Sequence, residues 1–167
     1  QKLENDTAKK KTLALYAYGR EAQLALHQTE NEKNYLNQKY DTVAFFNTTR
    51  GIIDYILKYD SLECKEGKTE AREENQELLY KYYPNLNMGA RYFYTRGKFE
   101  EAKKLLEMSL LMARQPMWAD QPVDSTHKEF VSNMYRYTYS AYISQDYTKV
   151  ERYKHILLNM PEYEESV

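Results

Sequence analysis

The sequence predicts an all-α protein of about seven helices, arranged as antiparallel hairpins that stack into an α-solenoid. Apolar residues recur at helical spacing along most of the chain, and only five Gly and four Pro interrupt its 167 residues. One segment also has the small-residue pattern of a tightly packed helical hairpin. We expect one helical domain over residues 1–167, with hairpins at 7–60, 84–113 and 125–161 and a connecting helix at 68–83.

The first predicted helix begins at an N-cap, Asp6 or Thr7, and runs to about His27. Its apolar residues recur at helical spacing and are expected to face the core. They are Leu15, Tyr18, Ala22, Ala25 and Leu26. The polar stretch 27–34, HQTENEKN, is expected to end this helix.

The second predicted helix begins after Asp41, a good N-cap residue, and reaches about Tyr59. Its expected buried residues are Phe46, Ile53, Ile56 and Leu57. A loop is expected at 60–68, followed by the connecting helix. Pro84 disfavours a helical conformation at the residue before it, so we expect a helix break there and a new helix beginning at Pro84.

The clearest pattern in the chain lies at Leu86–Ala113. Small residues would let two antiparallel helices approach closely, at Gly89, Ala90 and Ala102. Larger apolar residues would fill the space around that contact: Phe93, Phe99 and Leu106. Gly97 lies between the two helices and can adopt the left-handed conformation that ends a helix at low cost.

This hairpin resembles a tetratricopeptide (TPR) repeat, whose first helix carries W-x2-L-G-x2-Y and whose second carries A-x3-F. Leu86, Gly89, Ala90 and Phe93 take the first-helix positions, and Ala102 and Leu106 the second-helix pair.

A weaker copy follows at Met134–Pro161. Tyr147 takes the place of Phe99 at an offset of 48 residues (147 − 99), against a TPR period of 34. Lys154 departs from the pattern because it replaces an apolar residue. The surplus length is expected to form a long loop at 114–126.

Tyr135, Tyr137 and Tyr139 alternate with polar residues, a pattern that also fits a half-buried strand. Thr126 and Glu129, however, have the spacing of a helical capping box. Tyr135 and Tyr139 also share one helical face with Tyr142. We therefore predict a helix here, with the strand as the alternative.

The stretch Ala71–Trp118 is similar to a group of bacterial exported TPR proteins. The matching residues are Arg72, Asn75, Pro84, Asn85 and Leu86. The resemblance implies a helical repeat, no cofactor, and export to the periplasm or cell surface. The first residue, Gln1, fits a mature product cut after a signal sequence and equally a shortened expression product, so a cytoplasmic location stays the alternative.

Composition excludes several classes of function. The formal net charge is −1, with 24 basic and 25 acidic residues, which gives no reason to expect nucleic acid as a partner. No apolar run has the roughly 18 residues that a membrane span requires. Cys64 is alone and the three histidines are scattered, so we predict no metal site, no catalytic set and no enzyme.

Tyrosine is unusually abundant, with 18 residues. The TPR resemblance implies that first helices line a concave groove, and it assigns these residues to the groove: Asn87, Arg91, Tyr94 and Thr95, then Tyr135, Tyr139, Tyr142 and Ile143. Tyrosine offers wide contact at low entropic cost, and Arg91 can hold a carboxylate. We therefore predict a non-catalytic scaffold that binds a peptide or partner protein. Alternatives are internal packing of these tyrosines, glycan binding, and a structural segment of a larger assembly. Self-association through the C-terminal helix is a further expectation.

Overall fold

The computed structural model describes residues 2–65, 67–118 and 128–159. Six α-helices occupy these ranges: α1 Lys2–Tyr35, α2 Thr42–Cys64, α3 Arg72–Tyr94, α4 Phe99–Met112, α5 Lys128–Ile143 and α6 Tyr147–Leu158. A 3₁₀ turn covers Pro116–Trp118, and the described residues contain no strand. The all-α prediction is confirmed for these ranges, and the strand alternative for the region around Tyr137 is wrong.

The chain divides into two compact units, Gln1–Asn85 and Leu86–Val167, with the boundary inside α3. In the first unit, α1 packs closely on α2. A Cβ atom at Gly19 would lie 2.4 Å from the ring of Tyr55, so a larger residue at this position would require that ring to move. His27 is buried in the same contact, with its Nδ1 3.2 Å from the carbonyl oxygen of Phe45 and 3.2 Å from Oγ1 of Thr48. Burial is the main cause that lowers the pKa of His27 below its ordinary value.

The apolar stripe predicted to be the inner face of α1 is instead exposed, and that prediction is wrong. Leu15 is 66% exposed and Tyr18 is 74% exposed. Ala22, Ala25 and Leu26 are exposed as well. The inward face carries Arg20, which donates to Oδ1 of Asn75 at 2.7 Å. Arg20 and His27 find hydrogen-bond partners on α2 and α3, so this polar face of α1 packs without leaving those groups unpaired.

Helix α1 extends beyond both predicted ends. Asp6 and Thr7 lie inside it instead of capping it, and the stretch 27–34 is helical. Side-chain pairs along that stretch support the helix, such as the bond from Nε2 of Gln28 to Oε1 of Glu32 at 2.9 Å. The chain then turns at Asn37, whose positive φ is typical of a residue that follows a helix.

Helix α2 begins as predicted, because Oδ1 of Asp41 accepts a hydrogen bond from the backbone N–H of Ala44 at 2.9 Å. Three of its four predicted core residues are buried: Phe46, Ile53 and Ile56. Leu57 is only half-buried. The helix runs on to Cys64, so the first part of the expected loop at 60–68 is helical.

The predicted break before Pro84 does not occur, because Pro84 lies inside the continuous helix α3. A proline in a helix interior removes one hydrogen bond and costs about 3 kcal/mol. Fully buried leucines lie on both sides of it, Leu79 and Leu86, and their burial offsets that cost. The predicted connecting helix and the first helix of the next hairpin are therefore one helix, which gives six helices in the described ranges.

In the second unit, the end of α3 and α4 form a close hairpin. Five of the side chains predicted to pack at this contact are at most 1% exposed: Leu86, Ala90, Phe93, Ala102 and Leu106. Phe99, predicted with them, is only half-buried. Gly97 has a φ of 69°. The N–H of Lys98 donates to the carbonyl of Phe93 at 2.9 Å, which closes a Schellman turn.

A second turn of the same kind joins α5 to α6. Gln145 has a φ of 59°, and the N–H of Asp146 donates to the carbonyl of Ala141 at 2.9 Å. Gln145 lies 48 residues after Gly97 (145 − 97), the same offset that relates the two copies of the pattern. Lys103 of α4 is buried and pairs with Asp146 at 3.4 Å, which ties this turn to α4. Thr126 and Pro161, together with most of the expected loop at 114–126, lie outside the described residues.

Candidate binding surface

Four aromatic rings from α3, α4 and α5 contact one another in the second unit. The ring of Tyr139 lies 5.9 Å from Tyr94 and 5.6 Å from Phe99, both in tilted edge-on geometry. Tyr135 stacks on Tyr139 at 6.3 Å with an interplanar angle of 15°. These separations lie in the range in which aromatic pairs attract. With Tyr142, one turn further along α5, the four rings form what we call the aromatic surface.

The aromatic surface opens into a cavity of about 640 Å³ between α5 and α6. Its walls are Tyr135, Thr138, Tyr139 and Tyr142 from α5, and Val150, Lys154, Leu157 and Leu158 from α6. Tyr139 is 39% exposed and Tyr142 is 57% exposed, so both rings are accessible to a ligand. Lys154 pairs with Glu151 at 3.0 Å and supplies the only charge among these lining residues.

The opposite face of α5 is packed into the core. Tyr137 is fully buried, and its ring meets that of Tyr153 of α6 at 5.5 Å and nearly at right angles. Its hydroxyl donates to Oε1 of Glu107 at 3.4 Å. Burial, followed by the charge of Glu107, raises the pKa of Tyr137 to about 12. Along α5, Tyr137 therefore belongs to the core, whereas Tyr139 and Tyr142 are exposed.

Glu107 of α4 also fixes α6. Its carboxylate accepts from Nζ of Lys149 at 2.9 Å and lies 3.6 Å from a guanidinium nitrogen of Arg152. Ion pairs and the Tyr137–Tyr153 contact thus hold α5 and α6 together on the side away from the cavity.

Asn87, which the TPR resemblance assigned to the groove, has its side chain between helices. Its Oδ1 accepts from Oγ of Ser109 at 2.6 Å and from Nδ2 of Asn133 at 3.0 Å. Ser109 and Asn133 are buried on α4 and α5. A buried polar group needs such partners, so this network helps to fix the register of the three helices.

Arg91 lies exposed on α3, one helical turn before Tyr94. The ring contacts given above for the described part of the aromatic surface do not include it. Of the eight residues assigned to the groove, the structure joins Tyr94, Tyr135 and Tyr139 through ring contacts and places Tyr142 at the cavity.

Sequence reasoning missed Phe99 as part of this surface, and it missed the α6 wall: Val150, Lys154, Leu157 and Leu158. Lys154 was visible in the sequence as the charged residue that replaces an apolar one in the second copy of the pattern.

Within the described ranges, no helix is both long and apolar enough to span a membrane. Across the same residues, no group of three His, Cys, Asp or Glu side chains could hold a metal ion.

Comparison with known proteins adds no assignment. No family model matches the chain, and neither a curated protein nor a solved structure matches it.

Proposed function

We propose that this chain is a non-catalytic TPR-like interaction scaffold, with hairpins stacked as a solenoid, that binds a peptide or a peptide-like segment of a partner protein at the aromatic surface. The observation that carries the proposal is the cavity beside three tyrosines of α5, two of which are substantially exposed. A cavity of about 640 Å³ lies inside the usual range for ligand pockets, which is roughly 300–1,000 Å³.

The lining chemistry indicates what kind of peptide would bind. Val150, Leu157 and the tyrosine rings favour one aromatic or long aliphatic side chain in the cavity. Lys154 at the cavity, and Arg91 on α3, favour a carboxylate elsewhere in the peptide. The proposed ligand is therefore a short acidic peptide with one large apolar anchor.

A structural role in a larger assembly is the second candidate. Ile156 and Leu158 of α6 are both exposed and would suit contact with another protein. Glycan binding is less well supported, because the eight cavity-lining residues include no carboxylate or amide to bind sugar hydroxyls.

Selection from a peptide library displayed on phage tests the proposal. We expect acidic peptides with an apolar anchor to be enriched on the wild type and lost on a Tyr139→Ala, Tyr142→Ala double variant. Tyr35→Ala, which removes an exposed tyrosine from the first unit, is the matched control and should retain the same peptides.

Equal enrichment on the wild type and the double variant would refute the proposed site. The structural role would instead be supported if Ile156→Glu dissolved a stable assembly while no peptide was enriched.

A further inference from the structure

The exposed face of α1 has the spacing of a coiled-coil seam. Successive residues are separated by four and three positions in turn, which is the heptad pattern. They are Lys11, Leu15, Tyr18, Ala22, Ala25, Thr29 and Glu32. All seven are exposed, and the opposite face of α1 carries the contacts with α2 and α3. The seam is apolar in the middle and polar at both ends.

We propose that α1 binds α1 of a second copy of this chain, antiparallel, through this seam. A continuous apolar stripe on a helix of 34 residues is a typical site of helix association. Two features of the seam, the size of its side chains and its charges, select a second copy and an antiparallel orientation.

Side-chain size favours antiparallel pairing. The large residues Leu15 and Tyr18 lie toward the N-terminal end of the seam, and the small residues Ala22 and Ala25 lie toward the other end. Antiparallel packing places Leu15 opposite Ala25 and Tyr18 opposite Ala22 in the partner, so each large side chain meets a small one. Parallel packing would place large against large and leave the alanine layers underfilled.

Charge favours the same orientation. In the antiparallel register, Lys11 lies opposite Thr29 of the partner and one helical turn from Glu32 of the partner. Each interface contains this arrangement twice, because the pairing is two-fold symmetric. A parallel pair would place Lys11 beside Lys11 and Glu32 beside Glu32, which repels at both ends.

The size of the seam sets the expected strength. From Lys11 to Thr29 the helix rises roughly 27 Å at 1.5 Å per residue. A single helix pair of that length is expected to bury less surface than the roughly 1,200 Å² of a stable specific interface, which places it among the weak interfaces. We therefore expect a reversible dimer whose fraction increases as the protein concentration rises through the micromolar range.

Sedimentation equilibrium of the full chain over a micromolar concentration series tests the self-association. We expect a monomer–dimer equilibrium for the wild type and a monomer at every concentration for Leu15→Glu with Tyr18→Glu. Both positions are exposed, so the variant should keep the circular dichroism spectrum of the wild type. Ile156→Glu on α6 is the matched control and should still dimerise. A wild type that stays monomeric, or a dimer that survives the α1 substitutions, would overturn the proposal.

Cysteine pairing tests the orientation. In a Cys64→Ser background, mixing Leu15→Cys protein with Ala25→Cys protein should give a disulfide-linked dimer under mild oxidation. Neither protein alone should form one efficiently, because identical positions lie roughly 15 Å apart along the antiparallel pair. Efficient cross-linking of either protein alone, or none in the mixture, would contradict the antiparallel register.

Discussion

Tyr137 and Tyr139 lie two positions apart on α5 but on opposite faces, so replacing each with alanine should have contrasting effects. Tyr137 is fully buried between α4 and α6, and large-to-small changes of buried aromatics cost about 3–5 kcal/mol. Tyr139 is 39% exposed and would lose its contacts with Tyr94, Phe99 and Tyr135. Ring contacts contribute about 0.5–1.5 kcal/mol each when fully formed, and partial exposure weakens them, so we expect Tyr139→Ala to cost about 1–2 kcal/mol.

Urea denaturation followed by tryptophan fluorescence measures how both substitutions change the stability of the second unit. Trp118 is the single tryptophan and belongs to the second unit. The loss of unfolding free energy should be about two to three times as large for Tyr137→Ala as for Tyr139→Ala. Equal losses would refute the division of α5 into a core face and a ligand face. A larger loss for Tyr139→Ala would mean that the aromatic surface is a packing core.

Three further predictions concern other parts of the fold. Ala102→Leu, at a position with no exposed surface, should overpack the α3–α4 hairpin and cost about 1–3 kcal/mol, and an unchanged urea midpoint would contradict the close packing. Asp41→Ala should cost about 0.5–2 kcal/mol in thermal unfolding, while Asp41→Asn should cost less; equal losses would argue against the cap. Burial lowers the pKa of His27, so the unfolded chain takes up the proton more readily. The stability contributed by neutral His27 is present above its ordinary pKa of about 6.5 and is lost as pH falls below it. His27→Gln should flatten the decline in the urea midpoint between neutral pH and pH of about 5, and an unchanged slope would count against this role.

The hairpin of the second unit could be predicted because its determinants are local. Ala90 and Ala102 permit a close helix contact, and Gly97 adopts the conformation that the turn requires. These properties belong to individual residues at fixed spacing, so the sequence displays them directly.

The inner face of α1 could not be predicted, because an apolar stripe does not reveal whether it packs inside the chain or faces outward. Arg20 and His27 look like solvent-facing residues until Asn75 and Thr48 are known to lie beside them. The break expected at Pro84 failed for a related reason. Burial of the flanking leucines stabilises the helix more than the local preference of proline opposes it.

The candidate site was predictable only in part. Helical spacing placed Tyr135, Tyr139 and Tyr142 on one face of α5, and the structure has them lining one cavity. The α6 wall depends on how two helices pack, which spacing within one helix does not determine. Asn87 had the spacing of a groove residue, but the hydrogen bonds from Ser109 and Asn133 hold its side chain between helices.

The most direct test of peptide binding at the aromatic surface is ¹⁹F NMR of protein labelled with 3-fluorotyrosine. Resonances can be assigned one at a time by Tyr→Phe substitution. Adding a selected acidic peptide should shift the resonances of Tyr139 and Tyr142 and leave those of Tyr18 and Tyr55, in the first unit, in place. Shifts confined to tyrosines of the first unit, or none at Tyr139 and Tyr142 when the peptide is bound, would contradict peptide binding at the aromatic surface.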